Sequence, residues 1–156
     1  MIIREFKQGD QKEVEEIFAL YWTDPEFLEE LSGELQSFIK MSLNKDLGFF
    51  VAEENNEVVG IVGFKKLADY FKPYTKTNNP IELYVIAVKN KRKGIGKKLK
   101  IKFIEEVKKM GFDEVFFFSP NSHDESWNFH DSLDFERVGE ITPSDDEIGQ
   151  IWRKVL

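Results

Sequence analysis

Eight of the fourteen residues from Lys89 to Lys102 are basic: Lys89, Lys91, Arg92, Lys93, Lys97, Lys98, Lys100 and Lys102. Gly94 and Gly96 sit inside that block, after an apolar run, Ile81–Val88, and before a helical pattern. Strand, glycine loop and helix in this order make an anion site. Glycine permits close backbone approach, successive N–H groups converge on one point, and the helix N-terminus adds partial positive charge. Flanking cations add charge-assisted bonds to phosphate oxygens. The segment therefore points to a phosphate-bearing ligand. It is not a P-loop, because Gly96-Lys97 is followed by Lys98 rather than Ser or Thr. Nor is it the dinucleotide fingerprint, whose third glycine would fall on Leu99.

Proton chemistry has few candidates. Cysteine is absent and there are two histidines, so disulfides, thiolate nucleophiles and a histidine-based metal centre are not expected. An unperturbed imidazole titrates near ~6.5, so His130 suits proton transfer near neutrality. The competing reading is a helix histidine hydrogen-bonded in the core or facing solvent. His123, in a polar turn, reads as solvated. Glu82 interrupts an apolar run, where an unpaired carboxylate is costly. Either it marks the strand's exposed start, or it faces a substrate cleft as a base, directly or through water. Tyr84 shares its face by strand alternation.

The surrounding pattern supplies elements to hold these groups. Met1–Phe6 reads as a first strand. Asp10 would cap a helix with Val14, Ile17, Phe18 and Tyr21 on one face. Asp24-Pro25 restarts a helix striped by Phe27, Leu28, Leu31, Leu35 and Phe38. Phe49–Glu53 and Val58–Lys66 form a hairpin about Asn55-Asn56. Leu67–Asn79 reads as a loop, and Ile81–Val88 as a strand buried on both faces. Gly96–Met110 is a long helix stopped by Gly111. Val115–Ser119 is a strand, Pro120–Asp124 a turn, and Ser126–Leu133 a short helix. Phe135–Ile141 and Ile151–Leu156 are closing strands about a Pro143–Asp146 turn. The order predicts one α/β domain over residues 1–156, with helices on both faces of a mixed sheet.

The segment Lys91-Arg92-Lys93-Gly94-Ile95-Gly96 resembles the acetyl-CoA loop of the GNAT acyltransferase superfamily, Gln/Arg-x-x-Gly-x-Gly/Ala. The likeness extends to the acidic helices, to the hairpin with Val51-Ala52-Glu53 and Val59-Gly60, and to Phe129-His130-Asp131-Ser132-Leu133-Asp134-Phe135. It implies a GNAT-like, mostly antiparallel sheet of six to seven strands flanked by about four helices. It also implies N-acetyl transfer from acetyl-CoA to a primary amine of a small-molecule or peptide acceptor. The pyrophosphate would lie on Lys91, Arg92, Lys93, Gly94, Ile95, Gly96 and Lys97, and the acyl-pantetheine arm along Ile86, Ala87 and Val88. Asn121 and Ser126 resemble polar residues beside that arm. Three positions depart from the pattern: Lys91 or Arg92 replaces the leading Gln or Arg, Asp134 replaces a glycine, and His130 stands where a Tyr commonly protonates the CoA thiolate. The acceptor would lie near Tyr21, Trp22, Glu29 and Tyr84, where acidic and aromatic groups suit a cationic amine. A solvated acidic helix face is the competing reading.

Net charge is −7, which argues against non-specific nucleic-acid binding. The Lys89–Lys102 stretch leaves a phosphate-backbone patch as a distant third class, and a non-catalytic acyl-CoA-binding regulatory module is the closer alternative. No apolar run approaches a membrane span. A cytoplasmic monomer or homodimer without metal is expected.

Overall fold

The computed structural model describes residues 1–91, 93–143 and 147–156. Its strands are β1 (Ile2–Glu5), β2 (Leu47–Glu54), β3 (Glu57–Lys65), β4 (Pro80–Val88), β5 (Glu114–Pro120), β6 (Glu136–Ile141) and β7 (Gly149–Val155). The helices are α1 (Gln11–Phe18), α2 (Pro25–Met41), α3 (Ile95–Lys109) and α4 (Trp127–His130), with 3-10 turns at Gln8–Asp10, Asp69–Tyr74 and Asn121–Ser126. The strands join in one mixed, mostly antiparallel seven-stranded sheet, in the order β1-β2-β3-β4-β5-β7-β6. By its internal contacts the chain divides into two compact units, Met1–Phe64 with Val85–Phe103, and Lys65–Tyr84 with Ile104–Leu156.

In the first unit, the β2–β3 hairpin turns on Asn55 (φ 53°) and Asn56 (φ 62°). Positive φ at both turn residues suits the right-handed twist of the flanking strands. Asp24 caps α2 as expected, accepting from the Glu26 N–H at 3.1 Å, with Pro25 in the first turn. Asp10 does not cap α1. Its carboxylate instead receives Arg4 through two guanidinium nitrogens, at 2.8 and 2.9 Å, and the Lys7 N–H at 2.9 Å. α1 stops at Phe18, so Tyr21 lies in the following turn rather than on the helix.

The helices of this unit take opposite faces of β3. A Cβ on Gly60 would stand 2.7 Å from Leu99 and 3.2 Å from Ile95 of α3. A Cβ on Gly63, of opposite parity, would meet the Phe49 ring, which packs against Phe38 of α2 and Phe6, with centroids at 5.9 and 6.3 Å. Gly60 is thus required by the close seating of α3. Leu31, Leu35 and Phe38 are buried along α2, each stabilising the unit by about 1.5–3 kcal/mol.

In the second unit, β4 and β5 pair in parallel through Pro80↔Glu114, Ile81↔Val115 and Glu82↔Phe116. β5 pairs antiparallel with β7 from Glu114↔Val155 to Pro120↔Gly149, and β6 adds to β7 across an irregularity between Arg137 and Gly139. Phe71, Phe116 and Ile151 form a core cluster beneath the 3-10 turn. The segment read as a plain loop is therefore partly helical and anchored by Phe71. Glu114, fully buried, accepts from Lys76 N at 3.0 Å and Thr77 N at 3.3 Å. Arg153 stands over it, donating to the Tyr74 carbonyl at 2.9 Å and to Glu136 at 2.5 Å. A buried carboxylate is tolerable when its oxygens are bonded in this way. α4 is shorter than expected: the chain leaves it before Leu133 (φ 61°) and Asp134 (φ 65°). Of the expected Pro143–Asp146 turn, residues 144–146 lie outside the described residues.

Candidate functional site

The glycine loop belongs to the first unit. At the end of β4, the Lys89 N–H bonds the Val59 carbonyl of β3 at 2.8 Å. An antiparallel ladder alternates direction, so the adjacent Val88 turns its backbone the other way. The Val88 carbonyl accepts the Tyr21 hydroxyl at 2.6 Å. Gly94 then takes φ 75°, a left-handed conformation in which only glycine is unstrained, and its carbonyl receives the Lys98 N–H at 3.1 Å as α3 begins. Lys91, Lys93, Gly94, Lys97 and Lys98 are exposed, Gly96 is half-buried, and Ile95 is buried against β3. Arg92 lies outside the described residues. Lys89 is engaged by Glu57, which with its neighbouring acids holds the ammonium above its ordinary range. Lys91 places its ammonium 5.1 Å from the Tyr21 ring centroid. Trp22 stacks edge-on to Phe18 and Phe27, at 5.9 and 5.5 Å. Glu29 is exposed on α2.

Glu82, Tyr84, Asn121, Ser126 and His130 belong to the second unit. β4 begins before Glu82, and that residue is 5% exposed, which removes the exposed-start reading. Glu82 Oε1 accepts the Ala68 N–H at 3.2 Å, a bond to the segment preceding β4. Tyr84 carries the Lys65 ammonium over its ring at 3.9 Å. His130 is 6% exposed and ringed by aromatics, with Phe117, Trp152 and Phe129 centroids at 4.2, 5.1 and 5.6 Å. Its Nε2 lies 3.0 Å from Ser126 Oγ, which itself donates to the His123 carbonyl at 2.8 Å. Asn121 hangs from the Ile148 carbonyl by its N–H, while its buried Oδ1 has no hydrogen-bond partner among the described residues.

Several contacts escaped the sequence. The Tyr21–Val88 bond joins residues 67 positions apart, and no local signal marks it. Glu114 could have been flagged as Glu82 was, since it too is a carboxylate heading an apolar run, Val115–Phe118.

A basic glycine loop thus lies between a sheet strand and a helix in a mixed seven-stranded α/β fold. The model of the acetyltransferase (GNAT) family matches residues 13–135, and the chain belongs to that family. A GNAT-family acetyltransferase from Desulfovibrio desulfuricans shares the fold at TM-score 0.83 and 15% identity, covering 99% of this chain and 98% of that one. A ribosomal-protein-alanine N-acetyltransferase from Brucella melitensis matches at TM-score 0.74 and 19% identity over 100% of both chains. The PaiA N-acetyltransferase of Thermoplasma acidophilum, in complex with coenzyme A, matches at TM-score 0.70 and 19% identity, covering 99% and 98%. Among curated proteins no sequence match is found. No helix among the described residues is long and apolar enough to cross a membrane.

Proposed function

We propose that this chain moves an acetyl group from acetyl-CoA to a primary amine of a small-molecule or peptide acceptor, by direct attack of the neutral amine on the thioester carbonyl. The observation that carries this reading is the Gly94 turn, a left-handed glycine that closes a basic loop and opens α3 in a member of the GNAT family. The coenzyme A complex of a structural neighbour supports the donor. A neighbour described as acting on a ribosomal-protein alanine supports an amine acceptor. The family match runs through both compact units, which supports residues 1–156 working as one domain.

In the transfer the ammonium first loses one proton; the neutral nitrogen then forms the C–N bond as the C–S bond breaks, and sheds a second proton while the departing thiolate gains one. The N–H groups from Arg92 to Lys97 receive the pyrophosphate, aided by the ammonium groups of Lys91, Lys93 and Lys97. The backbone of Ile86, Ala87 and Val88 takes the pantetheine amides, leaving an N–H to polarise the thioester oxygen. Asn121 Oδ1, a buried acceptor without a donor among the described residues, suits a ligand N–H. His130 supplies the thiolate proton and Glu82 removes the ammonium proton, directly or through water. Trp22, Glu29 and Tyr84 serve the acceptor.

One observation favours a second reading, a non-catalytic acyl-CoA-binding module. Both candidate proton carriers are buried and hydrogen-bonded within the protein. Acetyl-CoA incubated with an unbiased amine panel separates the two. Free thiol released with at least one amine supports transfer, and tight coenzyme A binding without thiol release supports the module.

A further inference from the structure

The turn that follows α1 is held by its own backbone bonds and by aromatic packing. The N–H groups of Leu20, Tyr21 and Trp22 bond back to Ile17 and Phe18 at 3.0–3.1 Å, and Trp22 locks between Phe18 and Phe27. From this fixed base Tyr21 reaches the last residue of β4, its hydroxyl 2.6 Å from the Val88 carbonyl. Three residues further along, Lys91 lays its ammonium against the face of the same ring. An aromatic face attracts a cation most strongly when the pair is partly desolvated, and the Tyr21 side chain is half-buried. Lys89, which directly follows β4, is committed to Glu57. Lys91, by contrast, is held at the Tyr21 ring without a carboxylate partner among the described residues. The phenol proton is spent on Val88, so Tyr21 has no O–H left to donate to an acceptor.

We propose that Tyr21 is a positioning residue of the donor's phosphate subsite: its hydroxyl fixes the end of β4, and its ring holds the Lys91 ammonium where a phosphate of coenzyme A is received. This rests on the donor assignment made above and moves Tyr21 from the acceptor to the donor. An ammonium held in place donates to phosphate at a lower ordering cost than a freely rotating lysine.

The test measures binding of coenzyme A and of pantetheine, which lacks the phosphates, to the wild-type chain and to Tyr21→Phe, Tyr21→Leu and Lys91→Met. Steady-state kinetics with acetyl-CoA and any acceptor found accompany it. Lys91→Met is expected to weaken coenzyme A about tenfold, leave pantetheine within twofold, and flatten the salt dependence of coenzyme A binding. Tyr21→Leu is expected to cost tenfold or more, with Tyr21→Phe, which keeps the ring, recovering part of the loss. The acceptor KM at saturating acetyl-CoA should stay within about twofold. Tyr21→Phe guards against a folding defect in the leucine variant, checked by melting temperature. An unchanged coenzyme A affinity in Lys91→Met, or a raised acceptor KM with normal coenzyme A affinity in Tyr21→Leu, overturns the proposal. A wild-type chain that binds no coenzyme A overturns the donor assignment itself, and this inference with it.

Discussion

Ser126 Oγ lies 3.0 Å from His130 Nε2, one helical turn away, and gives its own proton to the His123 carbonyl at 2.8 Å. A hydroxyl has one proton, so Ser126 faces His130 as an acceptor and Nε2 carries hydrogen. If His130 protonates the leaving thiolate, His130→Ala should lower kcat by roughly 100-fold or more, the usual scale of general-acid catalysis. His130→Tyr should recover part of it. A loss of only two- or threefold, with the melting temperature intact, would show that solvent protonates the thiolate and that the aromatic cage is structural.

Gly94 offers a separate test of the donor loop. A Cβ there meets nothing within 4 Å, but φ is 75°, so the cost of a side chain is backbone strain, about 1–3 kcal/mol. Gly94→Val should shift the loop out of the left-handed region and abolish the rise in melting temperature that acetyl-CoA gives the wild type. The apo melting temperature should fall by only a few degrees. Undiminished stabilisation by acetyl-CoA would remove the loop from the donor site.

Glu82 has two roles to tell apart. Glu82→Gln keeps an acceptor for the Ala68 N–H but cannot take a proton, while Glu82→Ala loses both. A base predicts a large fall in kcat for both variants. A structural tie predicts a near-normal glutamine variant, and an alanine variant with a raised acceptor KM.

The acidic face of α2 bears on the acceptor alone. Charge reversal of Glu29 and Glu30, both exposed, should raise the KM of a cationic acceptor severalfold while leaving acetyl-CoA affinity unchanged. Equal effects on both substrates, or none on either, would return this face to plain solvation.

Asp10 sets a pH dependence of stability. Burial alone would raise its pKa, but the Arg4 guanidinium and the Lys7 N–H outweigh that and hold the carboxyl below its ordinary value. A depressed native pKa contributes stability that is complete above the unfolded value, near ~3.9, and is lost as pH falls through the lower native one. Asp10→Asn should therefore cost about 2 kcal/mol at neutral pH, roughly 4–8 °C in melting temperature. That difference should shrink toward zero in strong acid. A gap independent of pH would mean that shape, rather than charge, holds the Arg4–Asp10 pair.

Elements governed by local chemistry were legible in the sequence. Asn55-Asn56 announced its turn because both residues tolerate positive φ, and Asp24-Pro25 announced α2 through its cap and its fixed φ. The glycine loop was legible for the same reason. Asp10 was misread because a long-range partner, Arg4, competes for the carboxylate that would have capped α1. α4 ended early because Leu133 and Asp134 turn left-handed, which Leu does not advertise. Tyr21 looked like a fourth member of a helical stripe, when its packing is decided by Val88 on a distant strand. Glu82 was found because a carboxylate in an apolar run must be accounted for, and its bond to Ala68 lay beyond what spacing can tell.

The parallel pairing of β4 with β5 bears on the order of folding. Asn79 and Asp113, which bond beside the first of those pairs, are 34 positions apart, whereas β2 and β3 close across the two asparagines Asn55 and Asn56. Ordering the longer loop costs about 2–3 kcal/mol more in chain entropy, and no parallel ladder repays that cost until the crossover is complete. Hairpins form in about 1–10 μs, so the β2–β3 ladder has the early opportunity. Glu82, whose partner on β5 is Phe116, gains that side of its ladder only once the crossover has closed.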